Sequence, residues 1–100
     1  MIDLAPDHLV EVRRLLALRV PGCEVRAFGS RVTGTARRFS DLDLAVLSPE
    51  PLDPRRLDAL RDAFAASDLP MRVDVVDWRA VSASFRALVE ARYEVVQGAT

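Results

Sequence analysis

From Pro6 onward, apolar residues recur at three- and four-residue steps: Leu9, Val12, Leu15 and Leu16, with Glu11, Arg13 and Arg14 off the stripe. That spacing predicts an amphipathic helix. Pro6 suits its first turn, Asp7 favours its positive end, and Pro21-Gly22 stops it. The period then drops to two. Glu24 to Phe28 reads as a short strand with Val25 and Ala27 on one face, and Ser30 to about Ala36 as a helical turn broken by Gly34. Asp41 to Leu47 reads as a second strand, with Leu42, Leu44 and Val46 on one face and Asp41 and Asp43 on the other. Ser48-Pro49-Glu50-Pro51 excludes regular structure.

Asp53-Pro54 opens a further helix, a capping side chain followed by proline, with Leu57, Leu60 and Phe64 as its apolar face. Arg72 to Asp77 alternates again as a third strand, Val73 and Val75 opposite Asp74. Trp78 is expected to pack as a lid on the core edge. A last helix is expected from about Arg79 to Ala91, with Val81, Phe85, Leu88 and Val89 as its stripe, and Tyr93 to Gln97 adds a short extended piece. The resulting fold class is α+β: a small mixed β-sheet with helices packed mainly on one face.

Composition narrows the function classes. The 100 residues, half of them hydrophobic, suit one domain over residues 1–100 with one core. A net charge of −1 gives no broad basic field, so direct nucleic-acid binding is not expected. All fourteen basic residues are arginine. Cys23 has no partner for an internal disulfide and no companions for a zinc site, and His8, the single histidine, reads as a surface residue. No signal peptide and no apolar run of membrane-spanning length is evident, so a cytoplasmic protein with no membrane partner is expected.

The chemistry concentrates between Phe28 and Leu47. Same-face neighbours on a strand lie roughly 7 Å apart, so Asp41 and Asp43 can lean onto one divalent metal. Hard cations such as Mg2+ take carboxylates together with substrate phosphates. The Gly29-Ser30 turn supplies the other half, because glycine lets a backbone approach a phosphate and a following helix start favours an anion. The alternative is a strand edge with two solvated aspartates and an ordinary turn. If the third strand lies beside the second, Asp74 joins Asp41 and Asp43 on one face, and three convergent carboxylates are what two-metal phosphoryl or nucleotidyl transfer requires. Arg31, next to the turn, is expected on the phosphates. Arg37 and Arg38 are expected at the surface or on a rim facing a partner.

Gly29-Ser30 followed by Ser40-Asp41-Leu42-Asp43-Leu44, with Asp74 on a later strand, resembles the DNA polymerase beta-type nucleotidyltransferase superfamily. The size, the leading helix and the Gly-Ser-Arg-x-x-Gly form resemble its minimal members, the MNT proteins. The resemblance implies that Gly29 and Ser30 hold a nucleoside triphosphate, that Asp41 and Asp43 bind metal, and that Asp74 is the third catalytic carboxylate and metal ligand. It implies Mg2+, two ions in number, with ATP as substrate. It also implies a HEPN-domain toxin as partner, AMP transfer to a tyrosine of that toxin, and an antitoxin role within a toxin–antitoxin pair. Two rivals remain at this stage: an antitoxin acting by contact alone, and a small-molecule nucleotidyltransferase. Self-association is left open.

Overall fold

The structure is a computed structural model and describes residues 2–99. Eight elements follow one another: α1 (Pro6–Arg19), β1 (Glu24–Phe28), α2 (Ser30–Thr33), β2 (Leu42–Leu47), α3 (Pro54–Ala65), β3 (Val73–Asp77), α4 (Ala83–Ala91) and β4 (Glu94–Gln97). The strands form one mixed sheet in the order β3-β2-β1-β4, antiparallel except for the parallel pair of β2 and β3. The fold is thus α+β, as the periodicity predicts.

Strand alternation sorts the two sides of the sheet. Val25 and Ala27 of β1, Leu42, Leu44 and Val46 of β2, Val75 of β3 and Val96 of β4 enter the main core. There they meet Val12, Leu15 and Leu16 of α1, Val32 of α2 and Leu57, Leu60 and Phe64 of α3. Burying such a continuous apolar layer is the principal force holding the sheet against these helices. Asp53 caps α3 by accepting from the Arg55 N–H at 2.9 Å, with Pro54 at the first helical position.

The expectation of helices mainly on one face fits α1, α2 and α3; α4 packs on the other. Phe28, Ala45 and Val89 form a second, smaller core, flanked by Leu47, Val76, Trp78 and Phe85. The rings of Phe28 and Phe85 meet edge to face at 5.5 Å. This helix starts at Ala83, later than the stripe suggests, because Ser82 accepts from the Phe85 N–H and fixes the N-terminus there. Of the anticipated stripe, Val89 is fully buried whereas Leu88 is 69 % exposed. A helix lying on half of a sheet face buries a narrower stripe than one sunk between two layers.

The free edge of β3 is blunted by Arg61, whose Nη2 donates to the Val75 carbonyl at 2.9 Å. No helix among the described residues is long and apolar enough to cross a membrane.

Candidate active site

Sheet register assembles the site. Phe28 pairs with Asp43 across the antiparallel β1–β2 ladder, and Asp43 pairs with Asp74 across the parallel β2–β3 ladder. Residues directly opposite in a ladder point to the same face. Because Leu42, Leu44 and Val75 enter the main core, Asp43 and Asp74 must emerge on the other side, side by side. Asp41 sits one residue before β2 begins, so the second strand starts at Leu42 and not at Asp41 as its alternation suggests. It lies near enough for its charge to act on Asp43.

That action is visible in the electrostatics. The Asp43 carboxyl is raised above its ordinary value of 3.8, first by desolvation on burial, then by the charges of Asp74 and Asp41. Asp43 is thus the centre of the acidic group. Asp74 is held from its outer side by Arg72, whose Nη2 lies 3.1 Å from Asp74 Oδ1. Asp43 and Asp74 share a face, with Asp41 close enough to act on Asp43, but no three acidic, histidine or cysteine side chains among the described residues already stand in metal-binding proximity.

The turn after β1 presses on this group. Gly29 adopts φ 82° and ψ −157°, a region essentially reserved for glycine. A Cβ built on Gly29 would fall on Asp43 Oδ2, well inside contact distance. Gly29 therefore serves twice, in backbone conformation and in allowing close approach. Ser30 then opens α2, a single turn closed by Gly34 in the left-handed conformation. The first N–H groups of any helix lack partners within it, so this start offers donors beside Asp43.

The donor set fits a hard divalent cation. All three acidic groups offer oxygen, the central one is partly desolvated and destabilised by its like-charged neighbours, and the missing Cβ of Gly29 keeps space over its carboxylate.

The remaining residues divide. Arg31, expected on the phosphates, is instead 5 % exposed, and its guanidinium is taken up by three backbone carbonyls. This is a correction: a buried guanidinium committed to main-chain acceptors in this way is not turned toward a ligand. Arg37 and Arg38 are exposed, and Arg38 lies over the ring of its neighbour Phe39 at 5.2 Å. Trp78 packs on the second core, as a lid, with the guanidinium groups of Arg26 and Arg86 over its ring at 5.3 and 5.6 Å. Arg72 was missed at the sequence level, although the signal was present: a residue two before Asp74 on a strand shares its face.

A model of the nucleotidyltransferase domain family matches residues 9–97. The chain belongs to that family. It is 47 % identical over 96 residues to "Probable protein adenylyltransferase MntA" of Haemophilus influenzae, covering 96 % of this chain and 84 % of that protein. Among solved structures it is similar to a toxin–antitoxin with AMP-PNP, at 30 % identity and a TM-score of 0.75, over 96 % of this chain and 76 % of that one. It is also similar to a complex of a tri-AMPylated HEPN toxin with MNT antitoxin from Shewanella oneidensis, at 26 % identity and a TM-score of 0.67, over 90 % and 69 % of the two chains.

Proposed function

We propose that this nucleotidyltransferase transfers AMP from ATP to a tyrosine of a HEPN-domain toxin, with Mg2+, and so acts as an antitoxin. The observation that carries the reading is the Asp43–Asp74 register pair with Gly29 pressed against Asp43, in a family member 47 % identical to a protein adenylyltransferase. The neighbouring structures add the class of partner, since they contain a toxin–antitoxin with AMP-PNP and an AMPylated HEPN toxin with its MNT antitoxin.

In this reading Asp41, Asp43 and Asp74 hold the metal, and the N–H groups and hydroxyl at Gly29-Ser30 receive the β- and γ-phosphates. Bound Mg2+, two ions in such sites, supplies charge neutralisation for the phosphates and lowers the pKa of the attacking hydroxyl. The chain's own work is then positioning and proton handling. The turn orients the triphosphate so that its α-phosphorus faces the aspartates. The tyrosine oxygen bonds to that phosphorus as the bond to the β-phosphate oxygen breaks, and pyrophosphate departs on the turn side. Asp74, on the edge strand β3, accepts the phenolic proton. The second core and α4 cover the part of this same face beside the aspartates, and in this reading the partner brings its own hydroxyl to the uncovered part. We assign the reaction to the cytoplasm.

The test is incubation of the chain with a HEPN-domain toxin, ATP and Mg2+, read by intact mass. The wild type should add one or more AMP groups to the toxin, and Asp41→Asn should add none. A toxin left unmodified yet fully inhibited by both proteins would establish inhibition by contact instead.

A further inference from the structure

Arg31 is the one buried charged residue recorded in the described chain, and the three carbonyls it meets lie in two separate stretches, the segment before α1 and the loop before β2. Its Nε donates to the Ser40 carbonyl at 2.9 Å, Nη1 to the Asp3 carbonyl at 2.9 Å, and Nη2 to the Arg38 carbonyl at 3.2 Å. Its own carbonyl accepts from the Asp3 N–H at 2.6 Å. Asp3 thus grips Arg31 at both ends.

Two of these acceptors belong to the loop that delivers Asp41. That loop is closed on itself: the Ser40 N–H donates to the Arg37 carbonyl at 3.1 Å, and the Arg37 N–H donates to Ser40 Oγ at 2.8 Å. The Ser40 carbonyl is bonded directly to the Asp41 nitrogen, so holding it fixes the peptide plane from which Asp41 springs. On its other side, Arg31 follows Ser30 in the turn. A single residue therefore connects the turn beside Asp43 with the loop that carries Asp41.

Stability alone does not explain a guanidinium here. Burying a charge costs several kcal/mol before its hydrogen bonds are counted, and apolar replacements of buried ionic groups are often neutral or stabilising. What an apolar side chain lacks is a rigid planar fork of donors that can bind carbonyls from several directions at once.

We propose that Arg31 is a positioning residue for nucleotidyl transfer: it sets the placement of Asp41 relative to the Gly29-Ser30 turn without touching the nucleotide. This rests on the functional reading above, in which turn and aspartates hold two parts of one substrate. A misplacement of about 1 Å in such a constellation lowers rates about 100-fold.

The test uses Arg31→Gln, which removes the charge and the fork but keeps one amide donor, Arg31→Lys, which keeps the charge but not the fork, and Val32→Ala. Val32 is the buried neighbour on the core side of α2 and serves as a control for simple loss of stability. Amide exchange is measured on each free chain, and kcat and KM for ATP are measured with the partner well below each melting temperature. The expected result is faster exchange of the Arg38–Leu42 segment in both Arg31 variants, with β1 and α1 unchanged. Their kcat should fall about 100-fold with KM altered by less than about threefold, Arg31→Lys recovering part of the rate. Val32→Ala should melt earlier with a native kcat. Unchanged exchange at Arg38–Leu42 overturns the clamp whether or not the chain transfers AMP. A raised KM with native kcat would return Arg31 to the phosphates, and an equal kcat loss in Val32→Ala would reduce it to a stability residue; either result overturns the proposal. Absence of transfer by the wild type would defeat the functional reading, leaving the exchange measurement to decide the clamp.

Discussion

The backbone of Gly29 lies against the carboxylate of Asp43 so closely that no Cβ fits between them. The contact follows from register, because Phe28 and Asp43 are ladder partners and Gly29 turns directly over the pair. Gly29→Ala therefore meets two penalties. Its backbone conformation costs on the order of 1–3 kcal/mol for a residue other than glycine. The new methyl must also displace Asp43 Oδ2. The variant should fold with a lowered melting temperature and lose transfer activity altogether. Gly34→Ala is the comparison: its φ is also positive but lies in the left-handed region that other residues reach at lower cost, and a Cβ there meets nothing within 4 Å, so it should lose less stability and keep its activity.

Adjacent residues of β2 should separate stability from chemistry. Leu44 is fully buried in the main core, so Leu44→Ala should cost about 2–5 kcal/mol in denaturant melts. Asp43→Asn should melt at the same or a higher temperature, because it removes a partly desolvated charge repelled by Asp74 and Asp41. It should nonetheless add no AMP to the partner. An Asp43→Asn protein less stable than Leu44→Ala would make Asp43 a structural residue.

On α4 the comparison is Leu88 with Val89. Leu88→Ser should change stability by less than about 0.5 kcal/mol, the usual range at an exposed position, whereas Val89→Ala should be clearly destabilising. The pair also shows what periodicity can deliver. Val12, Leu15, Leu16, Leu57, Leu60 and Phe64 were legible as core because α1 and α3 press broad faces onto a complete sheet side. On α4 the apolar pattern marks a helix, but how much of the stripe is covered depends on the area of sheet left beside the acidic residues. No one-dimensional pattern carries that information.

The site was legible to a similar depth. Strand alternation places Asp43 and Asp74 on one face once β2 and β3 are neighbours, and both strands show that alternation plainly. Arg31 was misread because adjacency to an anion-binding turn in sequence says nothing about which way a side chain leaves a single helical turn; here it turns inward to carbonyls supplied by Asp3, Arg38 and Ser40. Arg72 is a cation that reaches Asp74 on the acidic face. Its pairing with Asp74 is largely exposed, Arg72 being 75 % open to solvent, so Arg72→Ala should alter stability by no more than about 1 kcal/mol. Leaving Asp74 without its counter-charge should instead lower the Mg2+ concentration that half-saturates transfer. A half-saturation unchanged or raised would show that Arg72 assists the metal-bearing state.

The raised Asp43 carboxyl gives the metal-free chain a distinct pH signature. Because the folded state holds this proton more tightly than the unfolded chain, ionising Asp43 subtracts stability. The loss is complete above the folded pKa and disappears as pH falls through that pKa toward 3.8, the ordinary value. The melting temperature of Asp43→Asn minus that of wild type isolates the effect from other carboxylates. Without metal the difference should be positive near neutral pH and shrink steadily on acidification. Mg2+ should reverse it at neutral pH, since a cation bound only by the folded state stabilises the wild type in proportion to its occupancy, and Asp43→Asn loses a ligand. Protons and Mg2+ compete for the same carboxyl, so the stabilisation by Mg2+ should itself fade as pH drops. A difference that is flat with pH would mean Asp43 titrates normally in the folded chain. Equal stabilisation of both proteins by Mg2+ would remove Asp43 from the metal site.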